Sequence, residues 1–337
     1  MLQSSGSSEA SAGAHECAFH PGRETLLSCT RCDKWACPDC LEPAAIGAHC
    51  VGCRKGRPVA GAKGETKFRV RSALFGADED AKLRRPGAVF YALLFLFLGL
   101  CAVAYEMEGF AARGGSWNAL KAISIAVVIV GAVLSVTIHE WAHAFVAYHG
   151  GDKTVVSKGY LTMDPRHYSD PYLSIIMPLI FLLLGGLPLP GGAVWIEHRW
   201  IRNKWWDSAV SLAGPASNLV FGLVLLGIGA SGVLGHHLLL HTSLVFLAYL
   251  EFGIVILNMI PIPGLDGYGA IDPFLPDNVR ETLAPVRRYG IFVLLVLVMN
   301  GGLNFIWDWS TTICTTLGVP IDLLALGYQL ASPKLFG

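Results

Sequence analysis

The chain alternates between long apolar runs and short polar breaks. Apolar runs occupy 88–107, 120–148, 210–230, 238–260 and 289–307. About 20 residues of α-helix cross a bilayer, so each run predicts a membrane-spanning helix. Two further stretches are ambiguous. The segment 171–196 is apolar but broken by GGLPLPGG, and 312–330 carries an internal Pro320 and Asp322. Residues 1–87 lack any such run. The pattern therefore predicts an α-helical polytopic membrane protein of about six transmembrane helices, preceded by a small polar domain.

Loop charges orient the runs, because Lys and Arg collect on the cytosolic side. Lys82, Arg84 and Arg85 precede the first run and favour a cytosolic start. The second run then returns to the cytosol near Tyr148. The next polar stretch, HRWIRNKWW at 198–206, is basic and rich in interfacial tryptophan, so it too reads as cytosolic. The segment 171–196 between them must leave and re-enter on one side. A re-entrant hairpin does this, since irregular backbone is tolerated at membrane depth where it lines a cavity; a short helical pair is the alternative. The third run exits at GVLGHHLLLH, without Lys or Arg, and the fourth returns before a loop holding Arg280, Arg287 and Arg288. On this reckoning the ends of runs two and four share a side and a depth.

Composition agrees with the pattern. Hydrophobic residues make up 53% of the 337 and charged residues 15%, too little charge for an ordinary soluble domain. The formal net charge is +0, so no nucleic-acid partner is expected. The first residues, MLQSSGSSEASAGAHECAFH, lack a basic start followed by an apolar core, so they are expected to stay in the cytosol. The expected division is a disordered lead at 1–16, a compact module at 17–53, a basic linker at 54–87 and a membrane-embedded domain at 88–337, with its core at about 120–269.

Seven of the nine cysteines fall between 17 and 53. They form pairs spaced by two residues: Cys17/His20, Cys29/Cys32, Cys37/Cys40 and Cys50/Cys53, with His49 beside the last. Each pair lets one tight turn present two ligands to a single ion. Four pairs supply two closed tetrahedral zinc sites, and a segment this short and polar needs metal to fold. A disulfide framework would need an oxidising compartment, which a cytosolic module lacks. The order resembles B-box-type zinc-binding domains, whose pairs interleave. That resemblance implies Cys17, His20, Cys37 and Cys40 on one ion, and Cys29, Cys32, Cys53 with either Cys50 or His49 on the other. Closed sites leave no position for catalysis, so the module is expected to bind a protein partner or steady the N-terminus.

The second run ends in TIHEWAHAFVAYHGG, 137–151. On a helix His139 and His143 lie about 40° apart around the axis and about 6 Å apart along it, so both imidazoles reach one metal. Glu140 stands about 100° round from His139. A carboxylate there can take a proton from zinc-bound water and hand it to a leaving amine. As a structural residue, a glutamate near lipid depth would be costly unless paired. The third ligand is less obvious. His149 stands ten positions after His139, but Val146 occupies the place where a bend-forming glycine would bring it back, and on a continuous helix it lies on another face. Asp266, in NMIPIPGLDG at 258–267, follows two prolines that unwind the end of the fourth run. It can complete a His₂-carboxylate site with one position left for water.

HEWAH late in one run, AGPASN (213–218) early in another and NMIPIPGLDG at the end of a third together resemble the site-2 protease family of intramembrane zinc metalloproteases. The resemblance covers about half the chain. It implies His139, His143 and Asp266 as ligands of one catalytic zinc, Glu140 as general base, and Asn218 as a residue binding substrate or the oxyanion. GGAVWI at 191–196 resembles the family's re-entrant β-hairpin. The PDZ and CBS domains of many members have no counterpart here. The implied activity is cleavage of a transmembrane helix in a membrane-anchored, single-pass substrate, such as an anti-sigma factor or a membrane-tethered regulator, by an enzyme embedded in the cell membrane. One rival reading is a catalytically silent scaffold recruiting partners through the zinc module, against which stand the intact Glu140 and Asp266. The other, a di-iron oxidase, needs histidine boxes that the remaining histidines do not form. Glu251, in the middle of the fourth run, has no role in either reading.

Overall fold

A computed structural model describes residues 15–25, 27–29, 34–43, 48–51, 85–167, 194–231, 233–234, 237–283, 290, 294, 296–297 and 300–331. The chain divides into two compact units, Met1–Arg71 and Ser72–Gly337.

The first unit is built around its cysteines. Two short antiparallel hairpins, β1 (His15–Cys17) with β2 (His20–Thr25) and β3 (Leu41–Pro43) with β4 (Ala48–Cys50), flank a single helical turn at Pro38–Cys40. The core consists of Cys17, Cys29, Ala36, Cys37, Cys40 and Cys50, with Phe19 and Leu41 packed against it. Six small side chains bury too little apolar surface to hold a fold, which is the physical signature of a metal-dependent module.

The second unit is helical. Four of its described helices are long and apolar enough to cross a membrane: Ala88–Met107, Trp117–Gly150, Lys204–Gly229 and Leu238–Asn258. The full helices are α1 (Ala88–Ala112), α2 (Trp117–Gly150), α3 (Lys204–Ala230) and α4 (Leu238–Asn258). Among the shorter ones are α5 (Asp266–Ile271), α6 (Asn304–Thr316) and α7 (Ile321–Ala331). With the expected runs 88–107, 120–148, 210–230 and 238–260 the agreement is close, α2 being longer at both ends.

Elsewhere the expectation and the structure part. The run 312–330 is not one helix. It holds the end of α6 and most of α7, separated by a turn in which Gly318 takes a φ of 91° and Pro320 follows. Each piece is too short to cross alone, since about 20 helical residues are needed. The run 289–307 is described at 290, 294, 296–297 and 300–307, where a turn over 300–303, with Gly301 at a φ of 68°, interrupts it before α6 begins at Asn304. The expected hairpin up to residue 193 lies outside the described residues, and Val194–Glu197 carries neither helix nor strand.

α4 is the hub. It packs against α1, α2, α3, α6 and α7, and 78% of its most apolar stretch is buried. Its Leu244, Leu247, Leu250 and Phe252 meet Val127, Leu134, Leu225 and Leu226 in one core cluster. The outer helices show the reverse. Phe95 of α1 and Val220 of α3 are 69% and 61% exposed, among several large apolar neighbours. An apolar outer surface around a core that also holds Ser124, Ser243, Thr242 and Glu251 is the arrangement that lipid favours, because lipid solvates apolar side chains and polar ones turn inward.

Candidate metal centre

α2 passes through the unit and carries the HEWAH pentad, His139–His143, in its last three turns before Gly150. Gly151 stops it, with a φ of 128° that side-chain-bearing residues rarely adopt. The backbone beyond is pinned by Asp152, which is buried and accepts from Thr154 N at 2.9 Å, Thr154 Oγ1 at 2.6 Å and Glu197 N at 2.8 Å. Those bonds hold 194–197 against the end of α2. Val194 N in turn donates to Glu140 Oε2 at 2.9 Å, fixing the direction of that carboxylate.

α3 begins at an N-cap, where Asn203 Oδ1 accepts from Trp206 N at 3.0 Å. It runs across α2 and meets it at Gly214, one residue before the helix-internal Pro215. A Cβ built on Gly214 would overlap the Nε2 atoms of both His139 and His143. The glycine of AGPASN is therefore what lets the backbone of α3 come to the metal-facing edge of both rings.

Past α4 the chain turns through Ile260–Leu265, held by Ile262 N to Ile260 O at 2.8 Å and Leu265 N to Ile262 O at 3.0 Å. The turn delivers Asp266, first residue of α5, to the same two rings. Asp266 Oδ2 lies 3.3 Å from His139 Nε2, and Oδ1 lies 3.4 Å from His143 Nε2. The two Nε2 atoms are 3.0 Å apart.

These distances fit a metal. Ligands about 2.0–2.1 Å from a tetrahedral zinc stand about 3.3 Å from one another. The donor chemistry fits as well. His143 donates Nδ1–H to Val210 O at 2.7 Å, and His139 donates Nδ1–H to Asn218 Oδ1 at 2.5 Å. Both rings thus carry their protons on Nδ1 and turn the Nε2 lone pairs toward each other. Asp266 sets its two carboxylate oxygens against those lone pairs, so the three donor sets converge with no proton between them, as a bound cation requires.

The other sequence-derived candidates fall as follows. Glu140 is buried beside the two histidines. His149 is exposed, donates to Phe145 O at 2.8 Å and stands apart from the cluster. Asn218, expected to face substrate or an oxyanion, is buried, and its amide is fully engaged: Oδ1 by His139, Nδ2 by Ser135 Oγ and Glu251 Oε2, both at 2.8 Å. Both amide hydrogens are used, so the side chain braces His139. Ser135 is a contributor that sequence reasoning missed, and Glu251, noticed there as a mid-span carboxylate without a role, is its partner.

In the N-terminal unit, donor atoms of Cys17, His20, Cys37 and Cys40 all lie within 4.8 Å of one another. His20 Nδ1 is 3.3 Å from Cys37 Sγ and 3.2 Å from Cys40 Sγ, and Cys37 N donates to Cys17 Sγ at 3.3 Å. Burial raises the Cys17 thiol, but backbone N–H groups of Cys37, Phe19 and His20 overcome this and bring it to about 6; Cys40, buried beside the other thiols, is pushed up to about 12. Cys29 and Cys50 are buried together, with Cys50 N donating to Cys29 Sγ at 3.2 Å. Their expected co-ligands Cys32 and Cys53 lie outside the described residues, and His49 is described only as the backbone partner of Glu42.

Comparison with known proteins decides the family. Over 248 residues the chain is 39% identical to a protein of Mycobacterium tuberculosis (strain H37Rv) provisionally named zinc metalloprotease Rip2, a match covering 74% of this chain and 91% of that protein. The chain belongs to the site-2 protease family of zinc metalloproteases. A Rip2 of Mycolicibacterium smegmatis is 41% identical over 177 residues, 52% of this chain and 68% of that one. A Bacillus subtilis protein provisionally named zinc metalloprotease YwhC is 31% identical over 194 residues, 51% of this chain and 80% of its own. No family model and no solved structure matches the chain. As a site-2 type metalloprotease it is a membrane enzyme, and zinc is the metal that both the family and the two donor clusters call for.

Proposed function

We propose that this chain is an intramembrane protease whose catalytic zinc is held by His139, His143 and Asp266 and whose proton carrier is Glu140. The observation that carries the reading is the convergence of those three side chains at 3.0–3.4 Å within a bundle of apolar helices. Zinc bound there would polarise a peptide carbonyl and bring the pKa of water toward neutrality. The protein supplies the rest. Val194 N–H holds one oxygen of Glu140 and leaves the other to take a proton from the attacking water. As the water oxygen bonds to the carbonyl carbon, that proton passes from Glu140 to the leaving nitrogen, the C–N bond breaks, and a carboxylic acid and an amine remain, the acid then giving its proton to the amine or to water. Asn218 and the Val210 carbonyl keep both imidazoles in the tautomer a metal needs.

A site inside the bilayer implies a substrate bond inside the bilayer. The substrate is then a single-pass membrane protein, such as an anti-sigma factor or membrane-tethered regulator, and its helix must unwind locally before water can attack. The finer topology belongs to the same reading: a cytosolic N-terminus, a re-entrant hairpin within 171–196 and a further crossing at 289–307. So does the division of the chain into a lead, a zinc module at 17–53 with two structural ions, a basic linker at 54–87 and the membrane domain. The module's closed sites suit a protein partner rather than catalysis.

The test is cleavage in liposomes of a labelled single-pass helix carrying a helix-breaking pair in its apolar core, with fragments mapped by mass spectrometry. Cuts inside the apolar segment that vanish with Glu140→Gln are the expected result. Cuts confined to the flanks, or persisting in that variant, overturn the reading.

A further inference from the structure

Glu251 is fully buried in the middle of α4, and neither the metal nor the proton transfers use it. A carboxylate inside a membrane bundle is costly and is kept where it has work to do. Its surroundings indicate what that work is. Ser135 Oγ–H donates to Glu251 Oε2 at 2.6 Å, and Asn218 Nδ2 donates to the same oxygen at 2.8 Å. The other carboxylate oxygen, Oε1, has no hydrogen-bond partner among the described residues, so the engaged side of Glu251 is the side facing Asn218.

We propose that Glu251 is a positioning residue for the metal centre: acting through Asn218, it fixes the proton of His139 on Nδ1 and so keeps Nε2 open to the metal. This rests on the reading of His139 as a zinc ligand. An asparagine amide is nearly symmetric in shape, and turning it over exchanges its acceptor for a donor. Were Asn218 turned, it would offer N–H to His139 Nδ1, the ring would carry its proton on Nε2, and that nitrogen could not bind metal. Two acceptors prevent the turn. Glu251 Oε2 is one. Ser135 Oγ is the other, because its single hydrogen is already given to Glu251, which leaves its lone pairs for the second Asn218 N–H at 2.8 Å. With both amide hydrogens drawn to that side, Oδ1 must face His139, where it sits at 2.5 Å. Every hydrogen bond in the chain from ring to amide to hydroxyl and carboxylate then runs in one direction, and the carboxylate sets it.

The measurement is zinc affinity of the purified full-length protein in detergent, by chelator competition; the membrane-site ion is identified as the population absent from His139→Ala. Glu251→Leu and Asn218→Ala should each weaken it about 10–100-fold, the usual effect of losing an outer partner of a metal-bound histidine. Glu251→Gln, which keeps an acceptor but can also offer a donor, should fall between native and Glu251→Leu. The double variant Asn218→Ala/Glu251→Leu should be no weaker than Asn218→Ala, because the path is serial. Native affinity in Glu251→Leu, or losses that multiply in the double variant, would overturn the proposal. Thermal unfolding of the metal-free variants reports folding, and if Glu251→Leu does not fold, native affinity in Glu251→Gln overturns it instead. If His139→Ala keeps its full zinc complement, the ligand assignment itself is what fails.

Discussion

Asp266 stands 123 positions beyond His143 in the chain, yet both its oxygens meet the histidine pair. Removing it should strip the site of one of three protein ligands. Asp266→Ala is expected to lose most membrane-site zinc and all cleavage, whereas His149→Ala keeps both, its ring being exposed and bonded to its own helix. Glu140→Gln keeps zinc and loses cleavage by about 10²–10⁴-fold or more, the usual range for an acid–base group. Metal content and turnover of the three variants, measured side by side, check this. A second expectation concerns Gly214, where a methyl group would press on both Nε2 atoms. Overpacking costs about 1–3 kcal/mol, which, borne by the metal-bound state, corresponds to roughly 5–150-fold in zinc affinity. Gly214→Ala should show that loss, and Gly227→Ala on the same helix, with nothing within 4 Å of its Cβ position, should show none. At this scale the cluster of His139, His143 and Asp266 was legible because fixed spacing on a helix, and an aspartate after a Pro-broken run, are patterns. The link between Ser135 and Glu251 was not, since two polar residues 116 positions apart leave no periodic trace. Asn218 was found by its motif, but only its surroundings show which way the amide is spent.

The four long helices could be read from apolar length alone, since lipid admits little else. Their ends could not, because hydropathy does not register the Gly151 stop or the three residues by which α2 starts before 120. The stretch 312–330 shows the limit of the criterion. Its residues are apolar enough on average, but a Gly-Pro turn divides them into α6 and α7, and both pack on α4. In the cysteine-built unit the spacing of the pairs was equally plain, and the structure draws Cys17, His20, Cys37 and Cys40 together into a group that could hold a metal ion. Cys37→Ser should therefore cost one zinc ion and leave the N-terminal unit open to limited proteolysis, since that unit has almost no other core. The membrane-site ion should be unaffected. A variant that lost both ions would show that the two metal sites depend on each other.

For the molecule as a whole, the loop charges predict that the N-terminus and the HEWAH end of α2 lie on the cytosolic side. A tag at the N-terminus should resist protease added to sealed spheroplasts and be digested after lysis. Digestion without lysis would reverse the orientation of every helix, although the metal centre itself would be unchanged.

The position of α4 at the centre of the bundle also bears on how the protein is made. Its mid-span carboxylate, arriving in lipid unaccompanied, would face a penalty of the order assigned to charged side chains at the bilayer centre, about 2.5–3.5 kcal/mol. Both side chains that receive Glu251 belong to helices synthesised earlier, Ser135 on α2 and Asn218 on α3. The ribosome thus delivers the hub last among the four long helices, into a membrane already holding its polar contacts. A rearranged gene that encoded α4 ahead of α2 and α3 would send the same helix into lipid with nothing there to receive it.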